Sequence, residues 1–386
     1  MRIKERAEDF IVEEILTVKH EKNSCIVFTL EKIDWETIAV VKVLARKLRI
    51  SQKRVGYAGL KDRRAVTRQK ISVSGISKEQ LEELTIPRVK ISDIERGDPI
   101  KLGDHQGNKF NILVKDAVAS IERIEKVKQG FPNYFGKQRF GDLRPITHEV
   151  GRELIKGNLE EAALIFLAKP FPEEKHYSVR KELWETRNFE RAKEEYPKTL
   201  VYERAVLDRI HLGAREGFKA LPLRLNTLFI HAYQAHLFNM ILERRCREVP
   251  VAEVEEGDII INWMNGKKVV TFAGKHNIDR VSREGLCAAA PIVGYKTVVR
   301  GRMKDITEAV LEEEEIKKED FHVKEFPVLS SRGTYREILA RVPDFSCRIE
   351  EEGVRLKFFL PKGQYATIFL EELFREEMDY GHRSWK

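Results

Sequence analysis

FIVEEILTV (10–18) and CIVFTLEK (25–32) alternate apolar and polar residues, with Phe10, Val12, Ile26 and Phe28 suited to one side of a sheet. A period of two over runs of this length predicts half-buried strands. The period then changes: Ile38, Val41, Leu44, Ala45 and Leu48 form one helical stripe between about Trp35 and Leu48, with Lys42, Arg46 and Lys47 off it. Asp34 is placed to cap that helix. Strand-like runs return at RQKISV (68–73), KFNILVK (109–115) and VRLKFFL (354–360), the last followed by the turn PKG (361–363). Ser77 and Gln80 have capping-box spacing at the head of a second helix, Ser77 to Leu84. Strands and helices interleaved in this way define an α/β protein of the α+β kind.

From about Ile155 to Arg341 the helical segments lengthen. NTLFIHAYQAHLFNMILERR (226–245) is apolar almost all round until its charged end, the pattern of a helix central to its own core. Strand-rich sequence resumes after Pro343. The simplest organisation is a mixed domain built from residues 1–154 and 342–386, interrupted by a largely helical domain at 155–341. The length of 386 residues suits two cores better than one.

Charged residues make up 34% of the chain and the formal net charge is +8. The distribution says more than the sum. Ten basic residues and a single acid, Asp62, lie between Arg46 and Lys70, whereas eight acids crowd Asp305–Asp320. A block of one sign marks a polyanion-binding face. No apolar run is long enough to span a bilayer and the first residues lack the pattern of a secretory signal, so a cytoplasmic protein is expected. The four cysteines are scattered without metal-ligand spacing, and neither a Walker A loop nor G-x-G-x-x-G is present. Chemistry without a cofactor or metal is therefore expected.

Two segments carry candidate chemistry. In GYAGLKDRRAVTRQ (56–69), Gly56 and Gly59 allow a tight backbone path, and Asp62 sits among Lys61, Arg63 and Arg64. Neighbouring positive charge holds such a carboxylate as an anion. An anion at the centre of a phosphate-attracting patch weakens RNA binding, and is better explained as a group that reacts with the RNA or positions it. In FPNYFGKQRFGD (131–142), Asn133 offers a donor and an acceptor to a pyrimidine edge. Phe131, Tyr134, Phe135 and Phe140 offer rings for stacking, and Lys137 and Arg139 add charge.

Together these segments resemble the TruD family of tRNA pseudouridine synthases, archaeal members in particular. The resemblance rests on AEDFIVEE (7–14), YAGLKDRRAVTRQ (57–69), the stretch from LG to QGNKFNILV (102–114), PNYFGKQRFG (132–141), HAYQAHLFN (231–239) and LPKGQYAT (360–367), in the family's order. It implies a pseudouridine synthase fold with a mostly antiparallel sheet, an inserted domain particular to the family, and isomerisation of uridine 13 of tRNA without a cofactor. It also implies Asp62 as the catalytic aspartate, with Phe10, Asn133, Phe135 and Tyr365 around the flipped-out uridine and Lys4 near the carboxylate. The Tyr365 position holds Phe in bacterial members, so the stacking face is kept and a hydroxyl added. The middle region is also longer here than in bacterial relatives. Arg54, Lys61, Arg63, Arg64, Arg68, Lys137 and Arg139 are the expected RNA contacts. A monomer with tRNA as partner, and no membrane or protein partner, is expected; the alternative class is a non-catalytic RNA-binding or RNA-chaperone protein.

Overall fold

The computed structural model describes residues 2–264, 267–279 and 286–374. Contacts divide the chain into two units, one formed by residues 2–130 and 341–374 and the other by described residues within 131–340. The expected domain boundary after residue 154 lies elsewhere than this division, inside a helix of the second unit. Gly151 in that helix, Thr147–Lys156, lets the Phe229 carbonyl approach so closely that an added Cβ would lie 2.1 Å from its oxygen. Residues 375–386, part of the expected C-terminal segment, lie outside the described residues.

The first unit opens with β1 (Phe10–Ile15), β2 (Cys25–Ile33), α1 (Thr37–Lys47), β3 (Val55–Tyr57), β4 (Val66–Ser74), α2 (Lys78–Glu82), β5 (Val89–Gly97), β6 (Gly107–Lys115) and α3 (Ile121–Gln129). The second unit runs through β7 (Phe131–Pro132), α4 (Thr147–Lys156), α5 (Leu159–Ala168), α6 (Tyr177–Thr186), α7 (Phe189–Glu195), α8 (Val201–Leu207), α9 (Ala214–Lys219) and α10 (Leu223–Glu248). It continues with β8 (Ile259–Met264), β9 (Lys267–Phe272), β10 (Ala288–Ile292), α11 (Gly301–Glu313), β11 (Thr334–Glu337) and β12 (Leu339–Ala340). The chain then returns to the first unit as β13 (Ser346–Glu350), β14 (Gly353–Pro361) and α12 (Ala366–Phe374).

The sheet of the first unit has the order β13-β14-β6-β1-β4-β2-β5, with β3 also paired to β4. Its pairs are antiparallel except β1 with β4, where Ile11 lies opposite Val66. One face is covered by α1, whose Val40, Val41, Leu44 and Ala45 share a core with Phe28, Leu30, Ile71 and Val73. Ile38, expected on that stripe, is exposed at its rim. The helix starts at Thr37, and the expected cap Asp34 instead pairs with Arg88 at 2.8 Å. The expected capping box is present: the Gln80 backbone N–H donates to Ser77 Oγ and the Ser77 backbone N–H to Gln80 Oε1. Toward β14 an aromatic stack continues from Phe110 to Phe358 and on to Phe369 of α12.

In the second unit α10 is buried on most sides, through residues such as Phe229, Tyr233, Leu237, Phe238 and Ile241. Its core also contains charge. Arg245 forms a bidentate pair with Asp258, both almost wholly enclosed, and Arg180 bridges Glu174 and Glu203. The acidic stretch begins on α11, which turns Met303, Ile306, Val310 and Leu311 inward and leaves Glu308, Glu312 and Glu313 exposed. Glu314 points inward and accepts a 2.9 Å hydrogen bond from the Tyr233 hydroxyl. Among the described residues no helix is long and apolar enough to cross a membrane.

Candidate active site

On the covered face of the first sheet, the inward phase of each strand turns polar in one area. Phe10 and Val12 give way to Glu14, Phe28 and Leu30 to Lys32, Val73 and Ile71 to Gln69 and Thr67, and Phe110 to Asn108. Register places Glu14 opposite Asn108, and Thr67 opposite both Val12 and Lys32, so these residues form one polar island. The loop of residues 58–65, joining β3 to β4, is bonded to it.

Lys61 points inward. Its ammonium lies 2.7 Å from Glu14 Oε2 and donates to Asn108 Oδ1 at 2.9 Å, with 5% of the side chain exposed. Its backbone N–H donates to the Thr37 hydroxyl at 3.0 Å, and that hydroxyl donates to Gln69 Oε1. The Gln69 amide then donates to the Gly59 carbonyl at 3.2 Å. Lys32, wholly buried, donates to the carbonyls of Asp62 at 2.8 Å, Lys61 at 3.4 Å and Trp35 at 2.6 Å. Burial pulls its ammonium down to about 8, with Asp62 and Glu36 opposing the shift and Lys61 adding to it. Burial, and then the Lys61 charge, also hold His105 below the ordinary histidine range.

With its backbone tied down in this way, Asp62 turns outward and about a third of its side chain is exposed (34%). Lys4 donates to Asp62 Oδ2 at 3.1 Å, and its Nζ stands 4.1 Å from the centroid of the Phe10 ring. Lys4 adopts a left-handed backbone (φ 59°), a conformation that costs a non-glycine residue about 1 kcal/mol. The compensation is a cation held between a carboxylate and an aromatic face.

The other expected residues fall into distinct groups. Phe10 is 3% exposed, with Lys4 over its ring and Phe110 edge-on at 6.2 Å, so in this conformation its face is already occupied. Tyr365 is half-buried at the start of α12, just after the turn at Gly363. Arg63 and Arg64 are exposed. Arg54 is exposed and donates to the Ser74 carbonyl, and Arg68 pairs with Glu31. Lys61, expected as an RNA contact, is enclosed and committed to Glu14 and Asn108, a strut of the loop.

In the second unit, Asn133 is 7% exposed and both ends of its amide are engaged. Its Nδ2 donates to the Glu337 carbonyl at 2.9 Å, and its Oδ1 accepts from Arg336 at 2.6 Å. Phe135 is half-buried under the Arg336 guanidinium, 4.2 Å from the ring centroid, and its backbone exchanges two hydrogen bonds with the Asn239 amide. Phe131, Tyr134 and Phe140 are core. Lys137 is exposed and Arg139 half-buried.

Reading the sequence missed Glu14, Lys32, Thr37, Gln69 and Asn108. For the strand residues a signal was present: a polar side chain in the apolar phase of an alternating run needs a buried partner.

The chain thus combines a mixed sheet with an outward carboxylate on a loop pinned from below. It superimposes on the crystal structure of the Methanosarcina mazei protein assigned to TruD with a TM-score of 0.82, at 33% identity, covering 97% of this chain and 93% of that one. The family model described as tRNA pseudouridine synthase D (TruD) matches residues 1–373. The "Probable tRNA pseudouridine synthase D" of Pyrococcus abyssi is 39% identical over 388 residues, covering 96% of this chain and 95% of that protein. Its namesake in Thermococcus sibiricus is 36% identical over 400 residues, with 97% and 95% covered. The chain belongs to the TruD family of tRNA pseudouridine synthases.

Proposed function

We propose that the protein isomerises uridine 13 of tRNA to pseudouridine, with the Asp62 carboxylate as nucleophile. The observation that carries this is the loop. Lys61 and Lys32 fix its backbone from the buried side, so that Asp62 stands outward with Lys4 on one of its oxygens. The reaction breaks the bond from ribose C1′ to N1, turns the uracil and joins C1′ to C5. N1 gains a proton and C5 gives one up, so no redox partner or phosphoryl donor is required. A fixed anion facing C1′ stabilises or traps the electron-poor sugar, as the nucleophile of a retaining glycosidase does. Attack on the base, or removal of a sugar proton to give a glycal, would use the same carboxylate.

The uridine has to leave the stack to reach Asp62. Phe10 and Tyr365 are the proposed apolar surfaces in the first unit, and Lys4 has to swing off the Phe10 ring before a base could lie on it. Asn133 and Phe135 are proposed as uridine contacts on the sequence resemblance, and recognition by Asn133 exchanges its bonds to Glu337 and Arg336 for bonds to the base. Arg54, Arg63, Arg64, Arg68, Lys137 and Arg139 are the proposed phosphate contacts. The first unit is proposed as the catalytic domain and the second as the family-specific insertion. The test is Asp62→Asn on an unmodified tRNA transcript, with pseudouridine mapped by carbodiimide. Loss of modification at position 13 is expected. Formation at the wild-type rate would remove Asp62 from catalysis, and absence of modification by the wild-type protein itself would leave the non-catalytic RNA-binding reading.

A further inference from the structure

The geometry points to Lys32 as the positioning residue that aims the Asp62 carboxylate, an inference that rests on the reading of Asp62 above. Lys32 occupies the inward phase of β2, directly after Phe28 and Leu30, where an apolar side chain would complete the core. Among the described residues no carboxylate forms an ion pair with it. Its ammonium is spent on three backbone carbonyls: Trp35, in the segment leading into α1, and Lys61 and Asp62 of the loop. One side chain thus ties the catalytic loop to the strand below and to the entry of the neighbouring helix. The Asp62 carbonyl is held 2.8 Å from Lys32 and its side chain 3.1 Å from Lys4, so the residue is gripped at both ends.

Three protons on one nitrogen match three carbonyl acceptors. A neutral amine has two protons and a lone pair, and turns that lone pair toward one of the carbonyls. Deprotonation would therefore loosen the loop without breaking any contact of Asp62 with the RNA. The groups facing this ammonium are Asp62 and Lys61 from the loop and Glu36 at the start of α1. Behind them stand Glu14, paired to Lys61, Lys4, paired to Asp62, and His105 beside Lys61. Burial dominates this set and brings the Lys32 proton into the range where activity is measured, near 8.

The experiment measures the single-turnover rate of pseudouridine formation, with enzyme in excess over an unmodified tRNA transcript, between about pH 7 and about pH 10. For wild type, the rate should fall through a midpoint near 8. For Lys32→Met, the rate at neutral pH should drop about 100-fold, the effect of moving a reacting group by an ångström or so. Its Kd for tRNA should stay at the wild-type value, and its remaining rate should show no fall near pH 8. A flat wild-type profile, a wild-type rate in Lys32→Met, or a fall near pH 8 that persists in Lys32→Met would each overturn the inference. If Lys32→Met does not fold, Lys32→Gln takes its place with the same outcomes. Asp62→Asn, run in parallel, separates the two readings. If it is inactive while Lys32→Met is normal, only the role of Lys32 fails; if it is active, the catalytic reading itself fails.

Discussion

Arg245 and Lys32 are enclosed cations, one in each unit, compensated in different ways. In the second unit Arg245 meets Asp258 in a bidentate pair, and its guanidinium is held above its ordinary range despite burial. In the first unit Lys32 donates to three carbonyls and, among the described residues, has no ion pair, and burial drags its ammonium down to about 8. A full opposite charge makes a buried cation permanent, whereas dipoles hold it only while it stays protonated. The permanent charge lies in a structural core. The conditional one lies under the loop that carries Asp62.

The severest way to break this contrast is Asp258→Ala. Stranding Arg245 without its partner should cost about 3 to 5 kcal/mol of stability in urea unfolding; a loss below about 1 kcal/mol would show that the pair is replaceable. A second measurement follows from the sign of the Lys32 shift. Its folded value, about 8, lies below the unfolded one, 10.5, so its contribution to stability is greatest above 10.5 and is lost as pH falls toward 8. Wild-type stability relative to Lys32→Met should therefore rise by up to about 3 kcal/mol across that window. An unchanging difference would mean that Lys32 does not titrate there.

The second unit should respond at the other end of the pH scale. Burial opposes ionisation of Glu314, but His236, 3.9 Å away, and the hydrogen bond from Tyr233 outweigh it and hold the carboxyl down to about 2. That stability is present above its ordinary value of 4.5 and is lost as pH falls from there toward 2. Tyr233→Phe should remove about 1 kcal/mol at neutral pH, with a smaller difference in acid, read as Tm against pH. The smallest effect concerns sequence neighbours. Arg63→Ala should lower the slope of log K for tRNA against log salt by about 0.7 to 0.9, whereas Lys61→Met should leave that slope unchanged because its ammonium is turned inward.

How much of this was legible in the sequence depended on whether a residue's partner lay nearby along the chain. The strands around Phe10 and Phe28, the Ser77 capping box and the all-round apolar helix ending near Arg245 could be read because period and spacing are local properties. Asp62 stood out because its sign is wrong for its surroundings. The inward turn of Lys61 was hidden for the same reason in reverse: among so many cations nothing local marks the one that turns inward, and its partner Glu14 lies on another strand. The engagement of Asn133 with Glu337 and Arg336 was invisible for a similar reason, since those residues are about two hundred positions away.

The placement of β14 beside β6 bears on synthesis. Gly107–Lys115 leaves the ribosome more than two hundred residues before Gly353–Pro361, the strand that pairs with it in the finished sheet. At the usual pace of translation that interval is tens of seconds, ample for the intervening unit to fold. During it one edge of β6 is an open template for strand addition. The nascent chain must keep that edge unpaired until its own C-terminal strand arrives, which makes vectorial folding, with the inserted unit completed first, the natural order of assembly.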